Sequence, residues 1–268
     1  MPRLAVIGHP VAHSRSPAMQ NAALEALGLE DWSYEAVDVR PDDFPEKVRE
    51  MAAGDFAGVN VTIPHKEAAV AAADVLTREA MIIGAANTLV FSEEGIVAHN
   101  TDAGGLMGAV RQVAAPRGRR ALVLGAGGAA RAAVWALNQE GAVVDVWNRT
   151  ARRAASLFEE LSSSSDLGGA PVESPRQEIY GIVVNTTAVG LHGEDPFEEL
   201  PLERSAFAEQ VVVDMVYGER PSALLAAAQE AGATTVDGLE ILVQQGARSL
   251  EIWTGRKPDL DVMRAAVR

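Results

Sequence analysis

The sequence predicts an α/β fold in two domains. Short apolar runs alternate along the chain with longer segments of helical period, the order that largely parallel sheets require. Two such series are present, one opening at Arg3–Gly8 and one at Ala121–Leu124. Between them Ala115-Pro116-Arg117-Gly118 ends a helical stretch.

Taken in order, Arg3 to Gly8 reads as a strand, and Ser16-Pro17 opens a helix to Leu27, with Pro suited to a first turn and Ser to the cap. Strands follow at Ser33–Val39, Ala57–Val61 and Asn87–Phe91, and helices at Pro41–Ala53, Lys66–Ala73 and Asp102–Val113. In the second series Ala121–Leu124 is a strand, Gly128–Glu140 a helix, Val143–Trp147 a strand and Ala151–Leu161 a helix. The serines at 162–165 with Asp166-Leu167-Gly168-Gly169 read as a loop. Gly181–Asn185 and Val211–Asp214 are short buried strands around a long segment, Ala188 to Pro201, to which no role is assigned. Arg220–Ala231 and Leu239–Trp253 are expected to finish the chain as helices. The domains are placed at 1–102 with 238–268, the last helix returning to the first domain, and at 103–237.

Composition narrows the classes. A chain of 268 residues, 48% hydrophobic, can bury a large core. The absence of cysteine removes disulfides, thiolate nucleophiles and cysteine-held metals, and no metal site is expected. A net charge of −14 argues against nucleic-acid binding. No apolar run approaches membrane-spanning length, and Met1 to His9 turns polar too early for a signal peptide, so no membrane partner and a cytoplasmic location are expected.

Of 23 basic residues only Lys47, Lys66 and Lys257 are lysines. Lys66 ends Gly58-Val59-Asn60-Val61-Thr62-Ile63-Pro64-His65-Lys66, an apolar strand stopped by Pro64 that delivers the Asn60 amide, the Thr62 hydroxyl and the Lys66 amine to one strand end. A desolvated ammonium can give up a proton and a guanidinium cannot, so this position suits proton transfer. Ligands collect at the carboxyl ends of parallel strands, which would gather Lys66, Asn87 and Asp102 at one crevice, with Ser14 and Ser16 at the same edge. Such short amide, hydroxyl and carboxylate groups suit a polyhydroxylated small molecule.

Leu124-Gly125-Ala126-Gly127-Gly128-Ala129-Ala130 is a G-x-G-x-x-A fingerprint between strand and helix. Gly125 permits the tight turn, Gly127 a close approach of backbone to a pyrophosphate, and Ala130 close packing of helix on strand. The next strand ends in Asn148-Arg149-Thr150, followed by Arg152 and Arg153, where an NAD enzyme would place a carboxylate. Asp145 lies too early for that role. Arginine at the strand end matches the 2′-phosphate of NADP, with Arg149 favoured.

These stretches, with Gly8-His9-Pro10-Val11-Ala12-His13-Ser14-Arg15-Ser16-Pro17, Gly84-Ala85-Ala86-Asn87-Thr88, Asn100-Thr101-Asp102-Ala103-Gly104-Gly105 and Gly238-Leu239-Glu240-Ile241-Leu242-Val243-Gln244-Gln245-Gly246-Ala247, resemble the shikimate/quinate dehydrogenase family in order along nearly the whole chain. The resemblance implies an N-terminal substrate domain, a Rossmann-type NADP domain and reversible reduction of 3-dehydroshikimate to shikimate, with hydride delivered from the nicotinamide to C3. It implies shikimate contacts from Ser14, Ser16, Asn60, Thr62, Lys66, Asn87, Asp102, Tyr217 and Gln245, and proton transfer by Lys66 with Asp102. It implies NADP contacts from Gly125, Ala126, Gly127, Gly128 and Ala129, from Asn148, Arg149, Thr150 and Arg153, and from Met215 and Gly238. His9, His13 and His65 read as loop or packing residues. The alternatives are a broader quinate/shikimate enzyme and a non-catalytic NADP-binding regulator on the same fold, the latter expected to lack Lys66 or Asp102. The oligomeric state is open, a homodimer included.

Overall fold

The computed structural model describes residues 1–218 and 221–268. In chain order the elements are β1 (Arg3–Gly8), α1 (Ser16–Ala26), β2 (Ser33–Asp38), α2 (Phe44–Ala53), β3 (Phe56–Val61), α3 (Lys66–Ala72), β4 (Val75–Leu76), α4 (Arg78–Ile83), β5 (Thr88–Ser92), β6 (Gly95–His99) and α5 (Asp102–Val110). There follow β7 (Arg120–Leu124), α6 (Gly128–Gln139), β8 (Val143–Trp147), α7 (Ala151–Ser164), β9 (Ile182–Asn185), α8 (Pro196–Glu199), β10 (Val211–Asp214), α9 (Ala223–Glu230), β11 (Thr234–Val236), α10 (Gly238–Thr254) and α11 (Leu260–Val267). Two compact units result, Met1–Gly105 with Leu242–Arg268, and Leu106–Ile241. Among the described residues no helix is long and apolar enough to cross a membrane.

The first unit holds a six-stranded sheet in the order β2-β1-β3-β5-β6-β4. Its core gathers Ile7, Val59 and Leu89 from the sheet with Phe44 and Val48 from α2. All neighbours pair in parallel except at β5, which runs against both β3 and β6. The sheet is therefore mixed, because a tight turn at Glu93–Glu94 joins β5 to β6 as a hairpin, and a hairpin can only reverse direction. The second unit is a five-stranded, wholly parallel sheet ordered β11-β10-β9-β7-β8. Strands β7 to β10 are near-continuous apolar runs, as a sheet covered on both faces demands, while the edge strand β11 is Thr-Thr-Val.

Several local expectations are corrected. Ser16 is not the cap of α1 but its buried first residue, and the Ser14 hydroxyl accepts from the Ser16 N–H at 3.2 Å. α5 ends at Val110, with turns over 111–113. The serines expected in a loop extend α7 to Ser164, and the Ser163 and Ser165 hydroxyls donate to the Glu160 and Leu161 carbonyls. The helix expected over 220–231 is α9, and its expected first residue, Arg220, lies outside the described residues. The chain continues past Trp253 into α11, whose start is capped by Asp259 accepting from the Asp261 N–H at 2.8 Å.

Candidate active site

The reversal of β5 decides where the polar groups of the first unit meet. Thr88 pairs with Asn60 on one side and His99 on the other, so Asn87 sits at the amino end of β5, beside the carboxyl ends of β3 and β6. Asn87 was expected to open a strand and yet share the crevice at the carboxyl ends of its neighbours; it does precede β5, and it reaches that edge because β5 runs against both neighbours. Lys66 starts α3 just beyond β3, and Asp102 starts α5 just beyond β6.

There the Lys66 ammonium donates to Asp102 Oδ2 at 2.5 Å, with side chains only 14% and 6% exposed. The Asn87 amide donates to the other Asp102 oxygen at 2.9 Å and to Gln245 Oε1 at 3.0 Å, while its carbonyl accepts from the Thr101 N–H at 2.7 Å. Gln245 comes from α10, and its backbone fits because position 105 is glycine: a Cβ there would lie 2.8 Å from the Gln245 nitrogen. One turn further, the fully buried Ser249 hydroxyl accepts from the Asn60 amide at 3.0 Å and lies 2.8 and 3.0 Å from the Thr88 and Thr101 hydroxyls. Asn60 Oδ1 accepts from the Tyr34 hydroxyl at 2.7 Å. The polar atoms of Asn60, like those of Asn87, are thus partnered within the protein, and Asn60 supports Asn87 and Thr88. In contrast, among the described residues the Thr62 hydroxyl has no hydrogen-bond partner and is partly exposed. Ser14 is partly exposed in the loop after β1, where Asp38 accepts from His9 at 2.7 Å and from the Val11 N–H at 3.3 Å. His13 is exposed, and His65 is buried against Phe44.

In the second unit β7 is followed by Gly125, whose φ of +118° belongs to the region that favours glycine and whose added Cβ would meet Thr186 Oγ1 at 2.5 Å. Ala126 follows, then Gly127 as the N-cap of α6, with open space where a side chain would project. Gly128, Ala129 and Ala130 form the first turn, and the buried Ala130 packs the helix on the sheet. A helix N-terminus left open above a small-residue turn fits a pyrophosphate. Beside it, Trp147, Asn148, Arg149, Thr150 and Arg153 line one wall of a cleft of about 470 Å³. Arg152 does not line it. Arg149 is 85% exposed, its guanidinium 3.6 Å from Glu199. Asp145 is fully occupied elsewhere: its carboxylate accepts from Arg120 at 2.5 Å, Tyr180 at 2.9 Å and the Ala170 N–H at 3.1 Å. Burial, with the bond to Asp145, raises the Tyr180 phenol well above its ordinary value.

Met215 and Tyr217 follow β10 in this same unit, and Gly238, the first residue of α10, approaches the Met215 backbone. The segment is braced by Asp214, which accepts from Ser222 at 2.5 Å, Asn185 at 2.9 Å and the Val216 N–H at 3.1 Å, and whose carboxyl burial pushes upward. Sequence reasoning missed the opposite wall of the cleft, Thr187 to Val189, His192, Glu194, Glu199 and Leu200. The available signal was Asn185-Thr186-Thr187 at the carboxyl end of a central parallel strand.

A βαβ unit with an open phosphate turn and arginines at the second strand's end, joined in one chain to a buried Lys–Asp pair, defines a nicotinamide-dependent oxidoreductase. A model of the shikimate dehydrogenase substrate binding domain matches residues 6–89, and one of the shikimate 5′-dehydrogenase C-terminal domain matches 238–268. The shikimate dehydrogenase (NADP(+)) of Thermus thermophilus is 45% identical, covering 100% of this chain and 98% of that protein. That of Methanocella arvoryzae is 42% identical, covering 98% and 97%. The crystal structure of a Thermus thermophilus shikimate 5-dehydrogenase in complex with NADP(H) and shikimate superposes with a TM-score of 0.89 at 43% identity, covering 100% of this chain and 99% of that one. The chain belongs to the shikimate dehydrogenase family.

Proposed function

We propose that this chain catalyses the NADPH-dependent, reversible reduction of 3-dehydroshikimate to shikimate, a step of chorismate and aromatic amino acid biosynthesis. The observation that carries the reading is the 2.5 Å Lys66–Asp102 contact, held in register by Asn87 and Gln245. Residues 1–102 with 238–268 bind substrate, and 103–237 bind NADP. The turn Gly125–Ala129 takes the pyrophosphate, and Asn148, Arg149, Thr150 and Arg153 take the adenosine 2′-phosphate, with Met215 and Gly238 completing the site. When bound, the nicotinamide supplies or takes up the hydride at C3.

The chain's own residues orient the substrate and move the proton. Ser14, Ser16 and Thr62 present hydroxyl donors suited to the substrate carboxylate, with Tyr217 as a further contact. Asn87 and Gln245 address ring hydroxyls. In reduction the Lys66 ammonium donates a proton to the C3 oxygen as that oxygen gains negative charge, and a proton from solvent restores it through its exposed edge. Asp102 holds the amine in line and keeps its charge compensated throughout. Presence of both Lys66 and Asp102 disfavours a non-catalytic regulator. The enzyme is assigned to the cytoplasm, and light scattering decides between a monomer and the homodimer.

The test follows the loss of dihydronicotinamide absorbance with 3-dehydroshikimate, and its gain with shikimate or quinate as substrate. Turnover with the shikimate pair, faster with NADP than with NAD, is expected. Turnover of quinate at an equal rate would move the assignment to the broader enzyme, and no turnover would overturn it.

A further inference from the structure

The cleft that holds Arg149 is walled by both signs of charge. Arg149 and Arg153 come from the strand-end side; Glu194 and Glu199 come from the segment between β9 and β10. The two acids are not equivalent. Glu194 turns inward on its own loop, where its carboxylate accepts from the Gly190 and His192 N–H groups at 3.0 Å each. Among the described residues Glu199 has no such backbone partner, and Arg149 is the cation paired with it, at 3.6 Å. Its position is set from both sides. Asp195 caps α8 by accepting from the Phe197 N–H at 3.0 Å and is gripped by Arg204 at 2.6 Å. Immediately after Glu199, Leu200 is buried in the apolar cluster with Leu202 and Phe207. The backbone that carries Glu199 is thus anchored on both sides, which keeps its carboxylate within a side chain's reach of the Arg149 guanidinium.

We propose that Glu199 is a specificity-determining residue for the dinucleotide: its carboxylate competes with the adenosine 2′-phosphate for the Arg149 guanidinium and so narrows the preference for NADP over NAD. The proposal rests on the reading of Arg149 as a 2′-phosphate ligand. A 2′-phosphate brings nearly two negative charges to a guanidinium that already faces one, and like charges at a few ångströms repel. A ligand with a bare 2′-hydroxyl suffers no such penalty. The effect is modest because both side chains are substantially exposed.

The experiment titrates NADP and NAD by calorimetry into the parent, Glu199→Gln, Arg149→Ala and the double variant, at low and high salt. Glu199→Gln is expected to bind NADP about two- to fivefold more tightly at low salt, with NAD unchanged. The gain shrinks at high salt and vanishes in the Arg149→Ala background. Unchanged or weaker NADP binding in Glu199→Gln overturns the proposal, the latter meaning that Glu199 orients Arg149 for the ligand. A gain that survives in the double variant also overturns it, by assigning the effect to the general negative field. Equal losses of NADP and NAD in Arg149→Ala alone would remove the reading of Arg149 itself, and the proposal with it.

Discussion

Lys66 and Arg149 each carry the charge on which the chemistry of their unit turns, yet they are built in opposite ways. Lys66 is 14% exposed and clamped at 2.5 Å to Asp102, inside a network whose members were partnered before any ligand arrives. Arg149 is 85% exposed and faces Glu199 at 3.6 Å across an open cleft. In the low-dielectric setting of the first unit a charge interacts strongly and its geometry is fixed; at the surface of the second, solvent and salt screen it. Chemistry that needs a proton placed to within a fraction of an ångström sits in the first kind of site. Recognition of a phosphate, which tolerates several donor arrangements, sits in the second.

The comparison breaks most visibly at Lys66. Lys66→Ala is expected to lower kcat by ~10²–10⁴-fold while KM for shikimate changes little, because the lost group acts in the transition state. Steady-state kinetics in both directions check this, and a kcat within about tenfold of the parent would sink the assignment of Lys66 as proton carrier.

Arg149→Ala is expected to weaken NADP by about tenfold or somewhat more and NAD hardly at all, since a charge-assisted contact contributes ~1.5–3 kcal/mol and exposure favours the lower figure. A loss approaching that of Lys66→Ala would erase the contrast between the two sites.

Ser249→Ala probes the buried network away from the ligands. It removes the partner shared by Asn60, Thr88 and Thr101 in a fully buried position, at a cost of ~1–3 kcal/mol in stability. Thermal unfolding should show a midpoint lower by several degrees, with KM for NADP unchanged. No shift in the midpoint would mean that the remaining hydroxyls re-pair among themselves.

How much of this could be read from the sequence follows from the range of each interaction. The turn at Gly125–Ala130 and the arginines after β8 are local signals, each confined to a few residues between a strand and a helix, and both were legible. Lys66, Asn87 and Asp102 were also legible, because each lies at the end of an element, although the reversal of β5 was not. Ser249 was not legible: its bond to Asn60 spans 189 residues, and a serine in the middle of a helix gives no hint of a buried partner. The acidic wall of the cofactor cleft was hidden for a related reason. Nothing in its composition marks the segment after β9 as a site, and Glu199 is placed by two burial events on either side of it, at Pro196 and Leu200. Asp145, set aside in the sequence as a ribose ligand, is occupied by Arg120 and Tyr180, partners that could be assigned only from the folded chain.

The smallest effect expected concerns pH, and it tests whether the buried half is also the acid-sensitive half. His65 immediately precedes Lys66 and caps α3 with its ring 4.5 Å from Phe44 and tilted only 18° from it, while Nε2 donates to the Val39 carbonyl at 2.6 Å. Burial pushes its pKa below the ordinary value, against the smaller opposing pull of the Val39 bond. In the unfolded chain the imidazole takes up a proton near pH ~6.5, whereas in the folded chain it does so only at lower pH. Between those two values the unfolded state binds more protons, so the stabilisation is complete above about pH 6.5 and is lost as pH falls through the folded-state value. His65→Phe keeps the stack and removes both the proton site and the Val39 bond. It should therefore be less stable than the parent at pH ~8, yet lose less stability between about pH 7 and 5. Some slope should remain, because burial lowers the His99 pKa in the same direction. Melting curves over that range decide the matter: an identical pH slope in parent and variant would remove His65 as the group that couples acid to the substrate edge.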